Sequence, residues 1–345
     1  MERYTPDFFE PVDHFAKTAA IGSGCILPGS RTEPVLVSIA IPTYKRAGFL
    51  KEALESALAQ RPVCDFEILV VDNNPLRDDE TEQLMRQYKE TGIVSYYKND
   101  QNLGMGGNWN RCLFLSRGKW VVLLHDDDRL EASFLQKTLP YLQKLDPGIL
   151  QTRKYSAEGP APRRLFRNIK KVGRLDMLYG HALDVPSGII YNREEVLRAG
   201  GFNDALYPSL DYCFHTFFLQ DHPVYILNEN LTYYRLSVNA SQSLQVQEAW
   251  LIDGFFLTKQ LLRRYGLPDW IVMPFLPIRT ARALNTIEQV WHSGLQVPSR
   301  LPVKQYPWWR RAVSLAIITL CVRYEKIKAR IACIFNLIKS PYHGS

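Results

Sequence analysis

The chain has 345 residues, of which 46% are hydrophobic and 22% charged, and its formal net charge is +7. This composition is close to that of an average soluble protein, so it excludes a disordered or collagen-like chain. The longest largely apolar run covers residues 312–322, well short of the ~20 residues that a membrane-spanning helix needs. The first ten residues carry three acids and no apolar stretch, so we expect no signal peptide.

The cysteines are scattered along the chain, and none of the six belongs to a CxxC pair. This spacing argues against a zinc site or a disulfide framework. A reducing compartment fits it best, so we predict a cytoplasmic protein.

Apolar runs of strand length alternate with helical patterns in the first part of the chain. Strands that are apolar on both faces and alternate with helices predict an α/β fold, a mostly parallel sheet flanked by helices. The predicted strands are 35–41, 66–71, 93–97 and 120–124, and the predicted helices are 46–60, 78–89 and about 108–116.

The later part of the chain is predicted to be less regular and then helical. We expect an N-terminal extension over 1–33, a catalytic domain over 34–245 with halves 34–130 and 131–245, and a basic, amphipathic helical region over 246–345. Within 131–245, the stretch 150–185 is basic and irregular, and short elements are predicted at 186–191, 194–199, 210–219, 225–227 and 231–235.

Polar residues follow three of the predicted strands, at 43–46, 72–74 and 126–128. In doubly wound sheets ligands bind at the carboxyl ends of the strands, so these residues are expected to meet. Three adjacent carboxylates, Asp126, Asp127 and Asp128, repel one another unless a cation or donors offset the repulsion. A Mg²⁺ ion with substrate phosphates suits them, and a solvated turn with a helix cap is the alternative.

Two further polar segments have weaker signals. Residues 72–74 could hydrogen-bond a base or ribose, or simply form an Asx turn before Pro75. The glycines of 104–107 allow close approach of a phosphate, but Trp109 breaks the dinucleotide fingerprint and no Lys-Ser/Thr pair completes a P-loop.

The motifs occur together in the order and spacing of a known family. They are Val37-Ser-Ile-Ala-Ile-Pro-Thr-Tyr-Lys-Arg46, Val70-Val-Asp-Asn73, Asn102-x-Gly104 and Leu123-Leu-His-Asp-Asp-Asp128. On these residues the sequence resembles glycosyltransferase family 2 over residues 35 to about 240. The resemblance implies a GT-A fold with a Rossmann-like sheet, an inverting transfer from a nucleotide-diphosphate sugar, and a divalent cofactor, Mg²⁺ or Mn²⁺.

The resemblance also assigns roles to matching positions. His125-Asp126-Asp127 aligns with the D-x-D motif, so Asp127 is expected to bind the metal, with Asp128 assisting, while Asp126 holds the ribose or a metal water. The remaining nucleotide-sugar residues are Pro42, Thr43, Tyr44, Arg46, Asp72, Asn73, Asn102, Gly104 and Asn108.

The catalytic base is expected where the family has a Glu-Asp pair after a Gly-Gly-Phe segment. Here Gly200-Gly-Phe-Asn203 is followed by Ser209-Leu-Asp211, which leaves only Asp211 as the base. The alternative for Asp211 is helix capping. Arg235 lies where a loop often covers the diphosphate, and it either contacts a phosphate or is a surface arginine.

Residues 301–345 hold eight basic residues against one acid, Glu325, an excess of seven that equals the net charge of the chain. An apolar stripe runs along its predicted helix, and Trp308 and Trp309 precede it. Such a helix suits a membrane interface, and docking on the catalytic domain or pairing into a homodimer are the alternatives. The stripe is Val313, Ile317, Leu320, Tyr324, Ile327, Ile331, Ile334 and Ile338.

We therefore expect a metal-dependent glycosyltransferase, acting on a saccharide or lipid-linked acceptor such as a growing surface polysaccharide, in the cytoplasm or at the inner membrane face. No nucleic-acid partner is expected. One alternative is a sugar nucleotidyltransferase, although 42–46 lacks the Gly-rich loop of such enzymes. The other is a non-catalytic basic binder of membrane or nucleic acid, which the acid cluster argues against.

Overall fold

The computed structural model describes residues 7–30, 34–61, 63–156, 168–236, 243–299 and 301–339. The strands are β1 (Ser23–Leu27), β2 (Val37–Thr43), β3 (Phe66–Asp72), β4 (Val94–Asn99), β5 (Trp120–Leu123), β6 (Arg129–Leu130), β7 (Ile149–Tyr155), β8 (Ile169–Lys171), β9 (Ile189–Asn192) and β10 (Val224–Tyr233). The α-helices are α1 (Ala47–Leu58), α2 (Glu80–Arg86), α3 (Gly104–Leu115), α4 (Phe134–Leu145), α5 (Arg193–Arg198), α6 (Leu210–Phe218), α7 (Leu244–Arg264), α8 (Asp269–Trp291) and α9 (Trp308–Lys339).

The strands form one mixed sheet in the order β1-β4-β3-β2-β5-β9-β7-β10-β6, with β8 paired to β10. The four strands β4, β3, β2 and β5 are parallel, with Val37 opposite both Phe66 and Trp120. Every residue of β2 and β3 is buried, which explains why their sequences read as continuous apolar runs. The predicted α/β fold is confirmed.

Two apolar cores cover the two faces of this sheet. Alternate residues of one strand divide between them, because successive side chains of a strand point to opposite faces. Ile39 and Ile41 pack with Leu50 and other α1 residues on one face. Ala40 lies in the other core, which also contains residues of α3, α6, α7 and α8. The late helices α6 to α8 thus cover the same face as α3.

The structure differs from the sequence prediction in the middle of the chain. The stretch expected to be irregular contains β7, an interior strand between β9 and β10. Its last five residues, Gln-Thr-Arg-Lys-Tyr, are polar, and their pairing with β10 along the whole stretch outweighs this weak strand propensity. The two short strands expected at 225–227 and 231–235 are one strand, β10, and the N-terminal extension adds the edge strand β1. Residues 157–167 lie outside the described part.

The C-terminal helices pack on the domain, as α8 lies against α7 and α9 against α8. The buried side chains of α9 include Ser314, Ile318 and Val322. Within the predicted apolar stripe, Ile317 is partly buried against the core, whereas Leu320, Tyr324 and Ile327 are exposed. No described helix combines the length and apolar character needed to cross a bilayer. The side chains of Ile331, Ile334 and Ile338 lie outside the described residues.

Candidate active site

A single large cavity of about 1250 Å³ opens at the carboxyl ends of β2, β3 and β5. Its strand-end wall consists of residues that follow or end these strands, together with the start of α3. Its helical wall comes from α6 to α8 and the loop before α6. The strand-end wall is Pro42, Thr43, Tyr44, Arg46, Asn73, Asn102, Gly104, Met105, Asn108, Trp109, His125, Asp126 and Asp127. The helical wall is Tyr207, Pro208, Asp211, Tyr212, Val246, Trp250, Leu251, Arg279, Ala283, Thr286, Ile287, Val290 and Trp291.

The acidic turn after β5 is held by residues that end β2. Thr43 donates a hydrogen bond from Oγ1 to Asp126 Oδ2 over 2.8 Å. Arg46 Nη1 lies 2.9 Å from Asp127 Oδ2 and 3.5 Å from Asp126 Oδ1. Burial raises the pKa of Asp126 to about 6, and the hydrogen bond from Thr43 opposes the rise. The predicted convergence of these two strand ends is therefore present in the structure.

The same turn brings together three groups that could hold a cation. One ligand atom each of His125, Asp127 and Asp128 lies within 4.8 Å of the others. Within the described ranges, His125 Nε2 and Asp128 Oδ2 are buried without a hydrogen-bond partner, which is costly unless something binds them. Burial lowers the pKa of His125 to about 4, so its ring is neutral and able to coordinate. These residues fit a divalent cation. Sequence reasoning gives His125 no role beyond replacing the first Asp of the D-x-D motif. Its position in that motif is the signal that could have identified it as a metal ligand.

An amide network shapes the part of the strand-end wall that lies between β3 and α3. Asn73 donates from Nδ2 to Asn102 Oδ1 over 2.8 Å and to the Gly104 carbonyl over 3.0 Å. Asn99 donates from Nδ2 to Asn73 Oδ1 over 3.0 Å and to Asn108 Oδ1 over 2.9 Å. The predicted residues Asn73, Asn102, Gly104 and Asn108 are thus in mutual contact. Asn99, which the sequence reading missed, joins them.

The glycines at the start of α3 make room for a carboxylate. Gly104 has φ of 76°, and a Cβ there would lie 2.3 Å from Asp204 Oδ2. Asp204 Oδ1 accepts a hydrogen bond from the Gly106 N–H over 2.7 Å. An acid at a helix N-terminus is favourable, so Asp204 takes the place that a phosphate-binding loop would offer to a phosphate. This contact argues against a phosphate site at the glycine segment, in agreement with its incomplete match to the P-loop and dinucleotide patterns.

Two predicted nucleotide-sugar residues do not line the cavity. The Asp72 carboxylate is fully buried and accepts hydrogen bonds from Tyr96 Oη at 2.8 Å and Lys98 Nζ at 2.9 Å. Burial raises its pKa, and Lys98 opposes the rise. The Arg235 guanidinium is turned toward α1, where Nη2 lies 2.8 Å from Glu52 Oε2, and its backbone N–H donates to Asp128. Their predicted roles therefore rest on the resemblance alone.

Asp211, the predicted base, lies in the first turn of α6 and lines the cavity. Its Oδ1 accepts a hydrogen bond from the Tyr212 N–H over 2.7 Å, and its Oδ2 lies 3.8 Å from His181 Nδ1. Burial raises the pKa of Asp211 to about 6, while hydrogen bonding and the charge of Lys154 act in the opposite direction. A pKa near the working pH suits a general base.

Behind Asp211 lies a buried chain of titratable groups that sequence reasoning missed. His181 Nε2 lies 2.8 Å from His215 Nδ1, and His215 Nε2 lies 2.8 Å from Tyr191 Oη. Burial lowers the pKa of His181 to about 3, so both rings are neutral and the chain carries no charge. These residues have no motif spacing in the sequence, and only the fold brings them together.

The helical wall is largely apolar at its mouth. Trp250 and Trp291 stand with ring centroids 5.5 Å apart at 49°, and Trp250 Nε1 donates to the Pro208 carbonyl over 3.2 Å. Tyr207 and Val290 are exposed beside them. Aromatic faces with a polar tip are suited to packing against a sugar ring or an apolar chain.

Comparison with known proteins agrees with this geometry. Residues 38–201 match the family model described as Glycosyl transferase family 2. The uncharacterized glycosyltransferase MJ1057 of Methanocaldococcus jannaschii is 27% identical over 213 residues, 58% of this chain and 71% of that protein. The uncharacterized protein MT1568 of Mycobacterium tuberculosis is 25% identical over 284 residues, 72% of this chain and 80% of that protein.

Solved structures share the fold. The crystal structure of S. aureus TarS 1–349 aligns with a TM-score of 0.55 at 18% identity, covering 79% of this chain and 97% of that one. The same protein in complex with UDP-GlcNAc aligns with a TM-score of 0.52 at 17% identity, over the same shares of the two chains. Together with the acidic strand end, these findings show a glycosyltransferase of GT-A fold whose residues 38–201 are similar to glycosyltransferase family 2.

Proposed function

We propose that this chain moves a sugar from a nucleotide-diphosphate sugar to an acceptor hydroxyl, with a divalent metal and with inversion at the anomeric carbon. The observation that carries the proposal is that Asp127, after β5, and Asp211, in the first turn of α6, line the same cavity. A cation-binding group and a carboxylate base in one cavity are the two elements that such a displacement requires.

The strand-end wall is the proposed donor site. Its amide groups, Asn73, Asn102 and Asn108, suit the hydrogen-bonding edges of a base or ribose, and Arg46 suits a phosphate. A neighbour of the same fold was crystallised with UDP-GlcNAc, which supports a nucleotide sugar as the donor.

His125, Asp127 and Asp128 would hold the metal. A bound divalent cation would offset the charge that develops on the leaving diphosphate. Because an imidazole joins the two carboxylates, the set favours Mn²⁺ over Mg²⁺, which prefers oxygen ligands and its own waters.

Asp211 would take the proton of the acceptor hydroxyl as this attacks the anomeric carbon. Attack by the acceptor on the face of the sugar opposite to the departing diphosphate would invert the anomeric carbon, and a base separate from the metal ligands suits such an attack. A positioned general base contributes about 10²–10⁴-fold to such a rate.

The proposal is tested by a thermal-shift screen of nucleotide sugars with and without Mn²⁺, since a ligand that binds only the native state raises its stability. We expect at least one nucleotide sugar to stabilise the protein in a Mn²⁺-dependent manner, and transfer to release a nucleoside diphosphate. Release of pyrophosphate from a nucleoside triphosphate would instead identify a nucleotidyltransferase. The absence of any nucleotide-sugar response would contradict the proposal.

We propose further that α9 rests on an anionic membrane surface at the cytoplasmic face. Leu320, Tyr324 and Ile327 are 58–65% exposed on one face of α9, and Trp308 is 74% exposed at its start. The basic side chains Arg310, Arg311 and Arg323 are also exposed. Apolar side chains flanked by basic ones suit the boundary of an anionic bilayer, and a lipid-linked or surface-polysaccharide acceptor would be reached there.

Sedimentation with vesicles tests this contact. Wild type is expected to bind vesicles containing phosphatidylglycerol more strongly than vesicles of phosphatidylcholine. A double variant, Leu320→Gln with Ile327→Gln, should lose most of this binding. A matched variant at exposed apolar residues away from α9, Leu76→Gln with Leu244→Gln, should keep it. Equal binding by both variants would contradict the proposal, as would a loss of self-association instead of vesicle binding in the α9 variant.

A further inference from the structure

Arg279 of α8 is a buried cation with unused hydrogen-bond donors. It is 2% exposed, yet it lines the cavity as part of the helical wall. Its Nε and Nη1 atoms are buried and have no hydrogen-bond partner. These two atoms carry three of the five N–H donors of a guanidinium, a group that does not lose its charge in proteins. A buried and incompletely paired charge is strongly unfavourable unless a ligand completes it.

The fold has made specific room for this guanidinium. Gly254 lies in the middle of α7, where a Cβ would stand only 2.0 Å from Arg279 Nη2. Glycine within a helix costs roughly 0.5–1 kcal/mol relative to alanine. The close approach of the arginine explains why the helix nevertheless has glycine at this position. The Arg279 guanidinium thus occupies space that Gly254 leaves free on α7, and we call this position the socket.

The socket lies on the base side of the cavity. Arg279 is close enough to the Tyr212 hydroxyl to lower the pKa of this group, opposing the larger rise caused by burial. Tyr212 directly follows Asp211, the proposed base. Along α8, Ala283 and Ile287 follow Arg279 at helical spacing and also line the cavity. These residues lead to the Trp250–Trp291 pair.

The cations of the strand-end wall and those near Asp211 differ in how they are paired, and this difference distinguishes the Arg279 socket from the donor site. On the strand-end wall, Arg46 is paired with Asp127. On the base side, Lys154 is a second buried cation that lines the cavity, and burial lowers its pKa. Asp184 and Asp211 oppose that lowering, and Asp211 must remain free to accept a proton. Among the described residues, the Nε and Nη1 atoms of Arg279 have no hydrogen-bond partner, and a bound anion would supply one.

We infer that the acceptor carries an oxyanion, a phosphate ester or a carboxylate, which the Arg279 guanidinium receives while the acceptor's ring or chain packs against Trp250 and Trp291. This inference rests on the proposed function, because it names the chemical class of the acceptor for that reaction. Guanidinium groups bind phosphate and carboxylate oxygens through strong charge-assisted hydrogen bonds.

Anion binding in metal-free buffer tests the inference. EDTA removes divalent cations, so no metal can attract an anion to the carboxylates of Asp126 and Asp127 on the strand-end wall. The anion is therefore expected to bind at Arg279. Inorganic phosphate and, separately, acetate are titrated against wild type, Arg279→Met, Arg279→Lys and the control Arg198→Met, at an exposed arginine outside the cavity lining, at constant ionic strength, with thermal shift and calorimetry as readouts. The anion that binds wild type more tightly indicates whether the acceptor carries a phosphate ester or a carboxylate.

We expect wild type and Arg198→Met to bind the anion alike, Arg279→Met to bind it at least about tenfold more weakly, and Arg279→Lys to fall between them. Without anion, Arg279→Met should unfold no earlier than wild type, because an unpaired buried charge has been removed. Equal anion binding by wild type and Arg279→Met would overturn the inference. So would a lower unfolding temperature of Arg279→Met without anion, which would mark a structural role.

The donor response separates this inference from the proposed function. Arg279→Met should keep the Mn²⁺-dependent stabilisation by a nucleotide sugar that wild type shows. If wild type lacks that stabilisation, the proposed function fails. If wild type has it and Arg279→Met loses it, Arg279 belongs to the donor site and the acceptor inference fails.

Discussion

The two walls of the cavity are built by different means. The strand-end wall comes from consecutive strand termini, and its polar groups pair with one another, as Thr43 does with Asp126 and Asn73 with Asn102. The helical wall comes from helices late in the chain, and it combines a tryptophan pair with an arginine that has unused donors. The strand-end wall, with its paired polar groups, is the proposed donor site. The helical wall, with its aromatic pair and buried arginine, is the side proposed for the acceptor.

The variant with the largest expected effect is Asp127→Ala, which tests the metal site of the strand-end wall. Loss of a metal ligand should weaken Mn²⁺ binding by about 100-fold or more, since even outer-shell partners contribute 10–100-fold. Nucleotide-sugar binding should weaken with it, as measured by calorimetry. The exposed Asp221→Ala is the matched control and should bind Mn²⁺ as wild type does. Undiminished Mn²⁺ binding by Asp127→Ala would place the metal elsewhere.

The pH dependence of turnover sharpens the role of the helical wall. Asp211 has its pKa raised to about 6, so it is protonated below that pH and cannot accept a proton. Turnover should therefore fall about tenfold per pH unit below pH 6. The groups facing it are Lys154, His181 and Asp184, and the charge of Lys154 holds the pKa down.

Lys154→Met tests that assignment. Removing the positive charge should raise the pKa of Asp211, so the acidic limb of the rate profile should move to higher pH. A limb at the same pH in wild type and Lys154→Met would show that another group titrates.

The smallest expected effect is that of Trp250→Ala. An aromatic contact is worth about 0.5–1.5 kcal/mol, so the KM for the acceptor should rise about two- to tenfold while the KM for the donor stays unchanged. Trp270→Ala, at an exposed tryptophan outside the cavity lining, is the control and should change neither constant. A change in the donor KM alone would show that Trp250 contacts the donor, which would contradict the assignment of the helical wall to the acceptor.

The strand-end wall could be predicted from sequence because its residues are contiguous with strands. A buried strand followed by Asp126-Asp-Asp128 carries both its secondary structure and its chemistry within a few residues. Asp72 shows the limit of this reasoning. It ends its strand as predicted, but its carboxylate turns to Tyr96 and Lys98 and away from the cavity, because strand pairing and burial decide the side on which a side chain lies.

Apart from Asp211, the residues of the helical wall could not be predicted, because they meet only in the tertiary structure. Tyr207, Trp250 and Arg279 have no common spacing, and each alone looks like an ordinary core or surface residue. The polar strand β7 was missed for the same reason, since its partners on both sides determine it. We keep the domain boundary at residue 245 as a proposal, although the cavity takes residues from both sides of it.

The central claim is that binding and proton removal are divided between the two walls, and Asp211→Asn tests it most directly. The donor Kd and the turnover at saturating donor are to be measured on the same preparation. The account predicts a donor Kd within about twofold of wild type and a turnover reduced by about 10²–10⁴-fold. Turnover equal to that of wild type would contradict the account.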